Sequence, residues 1–289
     1  MFKCALVCTD FSDSLQRLVE FVPDLVQSGI DKVVFFHNVS LTTGREIPQV
    51  DDDAVAEAKH RLAEASKASL PEKKSVFVDV RSGRVIDNIP KAVRCYEADV
   101  LVLGMPTRSL LKEKLFGSTT VGIAKQLDIP LVILRPQLVS TYREQELSLR
   151  CQELFTHLLV PYDGSKSAKY LLSQIKMAAQ VNEYPKHCTL CWVIDDCIRV
   201  ELRQSEEQVQ TLLDQAKAEL EASGVEVFTD IRLGDPQSEV LKCAEVNDIS
   251  AIAIASGKSK GILQWSVPSF TSALLRSSWH PIIHFPNLS

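Results

Sequence analysis

The run Asp99-Val-Leu-Val-Leu103 leads into Gly104, and nine residues separate Thr107 from Gly117-Ser118-Thr119. A glycine that ends a buried strand lets a ligand approach the backbone, because no Cβ stands in the way. A glycine before a helix start leaves N–H groups and the positive end of the helix dipole facing outward. The Ser and Thr hydroxyls beside it add further donors. Donors arranged in this way hold phosphate oxygens. Two more polar segments end strand-like runs in the same half, Thr9-Asp10 and His37-Asn38-Val39. In an open parallel α/β sheet the ligand lies beyond the carboxyl ends of the strands, where the strand order reverses. The candidate binding residues are therefore Thr9, Asp10, Asn38, Val39, Gly104, Gly117, Ser118 and Thr119.

Other constellations read as structure. Cys188-Thr-Leu-Cys191 has the CxxC form of a redox or zinc motif. It falls in a strand-like run, however, where residues three apart point to opposite faces. Packing is the simpler reading, with a redox or metal role through Cys188, Cys191 and Cys197 as the rival. The six histidines are scattered, and no Gly-x-Ser-x-Gly elbow occurs. Gly257-Lys258-Ser259 has the ending of a Walker A loop, but the first glycine of that motif would fall at Ile252. Asp51-Asp52-Asp53 stands before a helix, where carboxylates favour the dipole and cap the N-terminus. Trp192 reads as core and Trp265 as an interface or lid residue. No catalytic residue and no metal ligand set is expected.

The elements that must position the candidate residues come in two copies. Ala5–Ser12 corresponds to Leu158–Ser165, and Val76–Gly83 to Val227–Gly234. Asp99–Gly104 corresponds to Ser250–Ala255, and Pro130–Leu134 to Pro281–Phe285. In the first copy, β-rich runs fall near 3–9, 32–39, 75–81, 99–104 and 130–135. Helical periodicity fits 12–28, 51–69, 84–96 and 118–127. Ser12 or Asp13 is expected to cap the first of these helices, and Ser118 or Thr119 the last. The second copy has strand signals near 156–162, 187–194, 225–232, 250–255 and 281–285. Its helices are expected near 165–180, 201–223, 236–246 and 269–277. Strands as evenly apolar as Val100–Leu103 and Ala251–Ile254 imply a parallel sheet covered on both faces. The fold expected is α/β: two repeated doubly wound domains, each a five-stranded parallel sheet flanked by helices. The domains are placed at 1–137 and 154–289, with a polar linker at 138–153.

The second copy lacks the phosphate cradle. Ala255 stands for Gly104, Lys258 for Thr107 and Pro268 for Gly117, and only Ser269 repeats Ser118. Pro268 also removes a backbone N–H. The second domain is therefore expected to be the structural half.

The totals suit a globular protein of two domains: 289 residues, 45% hydrophobic and 24% charged. The net charge of -5, with no long basic stretch, argues against a nucleic-acid partner. No apolar run reaches the length of a membrane span, and a charge appears too early for a signal peptide. The protein is expected in the cytoplasm, with no membrane insertion.

These segments carry a family resemblance over nearly the whole chain. Both copies resemble universal stress protein domains, and the chain is similar to a tandem universal stress protein. The nucleotide-binding branch of that family has the pattern G-x2-G-x9-G-[S/T], and Gly104-x2-Thr107-x9-Gly117-Ser118 matches it at all but the second position. The resemblance implies an adenine-nucleotide alpha-hydrolase-like, Rossmann-like fold. It implies ATP, or AMP, bound by the first domain, with Mg²⁺. Asp10 would face adenine and ribose, and the backbone around Asn38 and Val39 would meet the adenine edge. Gly104 would admit ribose and phosphates, and Gly117, Ser118 and Thr119 would hold phosphate oxygens. Thr107 would offer a hydroxyl where the family has glycine. Pairing of the last strands, Leu131–Leu134 and Ile282–Phe285, would make an internal pseudo-dimer, and two chains would associate as a homodimer. The implied role is stress-response regulation or protection through a protein partner still to be identified. No metabolic reaction is implied, and any ATPase or self-phosphorylation would be slow and incidental. The alternative within the same family is an interaction scaffold that binds no nucleotide.

Overall fold

The computed structural model describes residues 1–12, 14–42, 48–105, 126–198, 204–255 and 269–286. The chain divides into two compact units, Phe2–Gln152 and Glu153–Ser289.

In the N-terminal unit the strands are β1 (Cys4–Cys8), β2 (Lys32–Val39), β3 (Ser75–Ser82), β4 (Val100–Gly104) and β5 (Leu131–Leu134). They lie in the order β3-β2-β1-β4-β5, and every pair is parallel. The chain winds outward from β1 to β3, then returns to the other side of β1 for β4. That reversal opens a crevice at the carboxyl ends of β1 and β4. The C-terminal unit repeats the plan with β6 (His157–Pro161), β7 (His187–Asp195), β8 (Glu226–Gly234), β9 (Ala251–Ala255) and β10 (Ile282–Phe285). Their order is β10-β9-β6-β7-β8, again all parallel. Unbroken apolar runs such as Val100–Leu103 and Ala251–Ile254 are buried, as strands covered on both faces must be.

The repeat extends to single interactions. Arg81 binds the Asp79 carboxylate at 2.6 Å in β3, and Arg232 binds Asp230 at 2.8 Å in β8. Gly83 and Gly234 follow these pairs with φ of +120° and +145°, a region that side chains other than glycine rarely enter.

The helices are α1 (Val22–Leu25), α2 (Asp52–Leu62), α3 (Val85–Tyr96), α4 (Pro136–Thr141), α5 (Glu144–Gln152), α6 (Lys166–Val181), α7 (Glu206–Glu221), α8 (Pro236–Val246) and α9 (Phe270–Ser277). The first helical region differs from the continuous helix expected over 12–28. It is a 3-10 segment Leu15–Phe21, then α1, then a second 3-10 segment Val26–Ser28. Pro23 has no N–H to continue a helical ladder through this region. The apolar stripe Leu18, Phe21, Val22, Leu25 and Val26 is buried all the same.

The capping expectation also changes. Ser12 gives both its N–H and its hydroxyl to Asp10, and Ser14 precedes the first 3-10 segment at φ +59° with no side-chain cap. Asp13, Ser118 and Thr119 lie outside the described residues. Asp51 does cap α2, accepting from the Ala54 N–H at 2.9 Å.

The stretch 138–153 is largely helical. Arg17 donates to the Val139 and Tyr142 carbonyls, each at 2.7 Å. Ser148 and Gln152 on α5 donate to Asp24 of α1 at 2.8 and 2.7 Å. These bonds fasten α4 and α5 to the N-terminal unit.

Candidate functional site

Register places the candidate residues of the N-terminal unit. Cys8 pairs with Leu103 on β4 and with Phe36 on β2. Thr9 therefore stands beyond the last paired position of β1, opposite Gly104 on one side and His37 on the other. The Thr9 N–H donates to the Phe36 carbonyl at 3.1 Å, and its hydroxyl accepts from the Phe11 N–H at 3.0 Å. Asp10 is exposed, and its Oδ1 accepts from the Ser12 N–H at 2.8 Å and from the Ser12 hydroxyl at 2.7 Å. Thr9, Asp10 and Gly104 thus meet at the crevice where the strand order reverses.

Phe11 and Arg61 are not among the candidate residues, and the sequence places His37 at this strand end without a role of its own. The His37 Nδ1 lies 2.8 Å from the Thr9 carbonyl, which accepts, so the proton sits on Nδ1. The Phe11 ring stacks on the His37 ring at 4.2 Å, and the Arg61 guanidinium of α2 lies 4.2 Å from the Phe11 centroid. Both faces of Phe11 are in use. Phe11 has φ +63°, a left-handed conformation that is uncommon for a bulky residue. Gly164, at the matching position of the second copy, has φ +70°. The alignment of Phe11 with a glycine was the available signal.

Asn38 and Val39 are more committed. Asn38 Nδ2 donates to the Gly83 carbonyl at 2.8 Å, and its Oδ1 accepts from Asn88 Nδ2 at 2.8 Å. The Val39 carbonyl accepts from the Gly83 N–H at 3.0 Å. Asn38 also lines an open depression of ≈ 480 Å³ with Ser40, Leu41, Gly83 and Arg84. Thr107, Gly117, Ser118 and Thr119 lie outside the described residues, as do Lys258, Trp265 and Pro268.

The C-terminal unit reproduces the loop after its first strand. The Tyr162 N–H donates to the Cys191 carbonyl at 2.9 Å, as Thr9 does to Phe36, and Asp163 Oδ1 accepts from the Ser165 N–H at 2.9 Å, as Asp10 does from Ser12. Trp192 takes the place of His37 and is buried against Tyr162 and Gly164. Beside it, at the carboxyl ends of β6, β7 and β9, lies a cavity of ≈ 410 Å³.

The thiols of the CxxC pair are held protonated. All eight cysteines are free, and burial pushes Cys188 up to about 12. Cys191 is raised by a hydrogen bond with Cys243 and by burial. Thiols held protonated at neutral pH are weak nucleophiles and weak metal ligands. The ligand atoms of Asp195, Asp196 and Cys197 lie within 4.8 Å of one another, and the two carboxylates raise Cys197 as well. Among the described residues, no helix is long and apolar enough to cross a membrane.

Comparison with known proteins follows the repeat. The model of the Universal stress protein family matches residues 1–135 and 154–286. A universal stress protein from Archaeoglobus fulgidus DSM 4304 is 19% identical, with 98% of each chain covered and a TM-score of 0.67. A functionally unknown protein from Pseudomonas aeruginosa PAO1 is 11% identical over 99% of this chain and 92% of its own, with a TM-score of 0.55. A universal stress protein in complex with cAMP is 14% identical over 45% of this chain and 95% of its own, with a TM-score of 0.35. No curated protein sequence matches. At these identities the structural likeness is one of fold.

Proposed function

The chain belongs to the universal stress protein family, and on that premise we propose that its N-terminal half binds ATP or another adenine nucleotide, with Mg²⁺. The reading rests above all on one observation: Gly104 ends β4 one residue past the Cys8–Leu103 pair, beside the end of β1 that Thr9 and Asp10 follow. A strand end without a Cβ, beside a carboxylate able to accept from adenine or ribose, suits a nucleoside. Thr107, Gly117, Ser118 and Thr119 follow Gly104 at the family's spacing and would supply the phosphate donors. Asn38 would act from the far side of the site by holding the Gly83 turn in place, and Val39 would shape the base edge.

In this reading the protein regulates or protects in response to nucleotide and is not a metabolic enzyme. Any turnover would be incidental in this reading. The C-terminal half would not hold phosphates in this reading, because Ala255, Lys258 and Pro268 stand where Gly104, Thr107 and Gly117 stand in the first. The competing reading is a scaffold that binds no nucleotide. Nucleotide released from freshly purified protein by heat, then separated by ion-exchange chromatography, tests the choice. Adenine nucleotide bound in near-stoichiometric amount supports the proposal. A protein that carries none, and whose melting temperature does not respond to added Mg-ATP, supports the scaffold.

A further inference from the structure

The amino ends of β6, β7 and β8 lie at the opposite edge of the C-terminal sheet from the carboxyl ends, where ligands of such sheets bind. There the register aligns His157 with His187, and His187 with Glu226. Residues in register on adjacent parallel strands face the same side of the sheet, so the three side chains form one row. The row carries two imidazoles and a carboxylate. Thr189 and Phe228, two residues further along β7 and β8, form the next row on that face. At the same register of the N-terminal unit stand Cys4, Lys32 and Ser75, and Lys32 donates to the Tyr96 carbonyl at 3.0 Å. The set of two imidazoles and a carboxylate thus belongs to one half only.

The packing prepares these groups for a cation. His187 Nδ1 is buried, and Glu226 Oε2 lies 2.9 Å from it without forming a hydrogen bond. Two ligand atoms bound to one ion at about 2.0–2.2 Å stand about 3 Å apart. The ring centroids of His157 and His187 are 5.6 Å apart, with the planes inclined at 66°. Two imidazoles on one tetrahedral ion, with the same bond lengths, have centroids about 5 Å apart. His157 Nε2 lies 2.8 Å from Thr189 Oγ1, a contact that orients the ring and leaves Nδ1 for a metal. Phe228 packs against both rings, with centroids 5.9 and 6.4 Å away. Burial, and then the neighbouring His187, hold His157 below the usual imidazole range, so its lone pair is available at neutral pH. The side chains of His187 and Glu226 are 38% and 62% exposed, which lets an ion enter from solvent.

We propose that His157, His187 and Glu226 bind a divalent metal ion of the zinc class, each giving one ligand atom after a small side-chain adjustment. Imidazole nitrogen suits such ions, and water would complete the tetrahedron. The ion would tie the outer strand β8 through β7 to β6. The inference goes beyond the nucleotide reading and does not depend on it.

Isothermal titration of the full, reduced chain with Zn²⁺ at neutral pH tests it. One ion per chain is expected. His187→Gln and Glu226→Gln, both at partly exposed positions, should each weaken Zn²⁺ about tenfold or more while the circular dichroism spectrum stays unchanged. Cys197→Ser, which alters the separate Asp195–Asp196–Cys197 group, should leave the affinity as it is. Zn²⁺ should raise the melting temperature of the parent chain and not that of His187→Gln. Co²⁺ in place of Zn²⁺ should give visible d–d bands with no thiolate charge-transfer band in the near ultraviolet, a readout that needs no variant. Absence of heat at hundred-micromolar Zn²⁺ would overturn the proposal and leave His187 and Glu226 as an ion pair. So would a thiolate band with Co²⁺, affinity that either Gln variant leaves intact, or affinity lost in Cys197→Ser.

Discussion

Phe11 pays for its place in backbone strain and recovers it in stacking. Its φ of +63° costs an L-residue roughly 1–2 kcal/mol, while its ring joins His37 of β2 to Arg61 of α2. Phe11→Ala keeps the strain and loses the ring, whereas Phe11→Gly loses both. Urea denaturation should therefore rank Phe11→Gly above Phe11→Ala by about 1 kcal/mol, with both below the parent chain. The reverse order would show that the left-handed conformation costs nothing here. At the crevice, Gly104→Val puts a branched side chain at the strand end opposite Thr9. It is expected to weaken Mg-ATP about tenfold or more, as read by thermal shift, with secondary structure unchanged.

At the scale of elements, the repeat lets one half test the other. Gly83 follows β3 and Gly234 ends β8, at φ of +120° and +145°. A Cβ on Gly234 would lie 3.1 Å from Glu239 Cγ, and Glu239 pairs with Arg232 at 3.7 Å. A Cβ on Gly83 would meet Asn88 Nδ2 at an easier 3.5 Å. Both Ala variants should destabilise, by about 1–3 kcal/mol for the strained backbone, with Gly234→Ala the worse; equal losses would mean that the Glu239 contact yields freely. The strands were legible because unbroken apolar runs have few other ways to fold, and all ten lie within two residues of their expected ends. The helix expected over 12–28 was not, because a stripe with helical period is also met by mixed 3-10 and α turns, and Pro23 imposes the break. Of the candidate site, Thr9, Asp10 and Gly104 could be read from strand ends alone. The Phe11–His37–Arg61 stack joins three separate segments, and the C-terminal cavity is a product of packing. Neither leaves a local motif.

For the whole molecule, pH supplies a global check. Burial pushes His284 of β10 from 6.5 down to about 4. Between those values the unfolded chain binds a proton that the native state excludes. The stability contributed by neutral His284 is therefore complete above about pH 6.5 and is lost as the pH falls toward 4, by about 3 kcal/mol in all. Denaturant midpoints at pH 7 and pH 4.5 should show this loss, and His284→Leu should reduce it. An identical pH dependence in the variant would assign the loss to other groups. The two halves share a fold, a loop geometry and an Asp–Arg pair, yet they differ at the carboxyl ends of the strands: Gly104 against Ala255, Phe11 against Gly164, His37 against Trp192. The central claim is that the N-terminal crevice takes an adenine nucleotide. Isothermal titration of the full chain with Mg-ATP, alongside the Gly117→Val variant, tests it most directly. The account predicts one site per chain in the parent protein and affinity reduced about tenfold or more in the variant. No heat at millimolar ATP, or binding that Gly117→Val leaves unaltered, would contradict it.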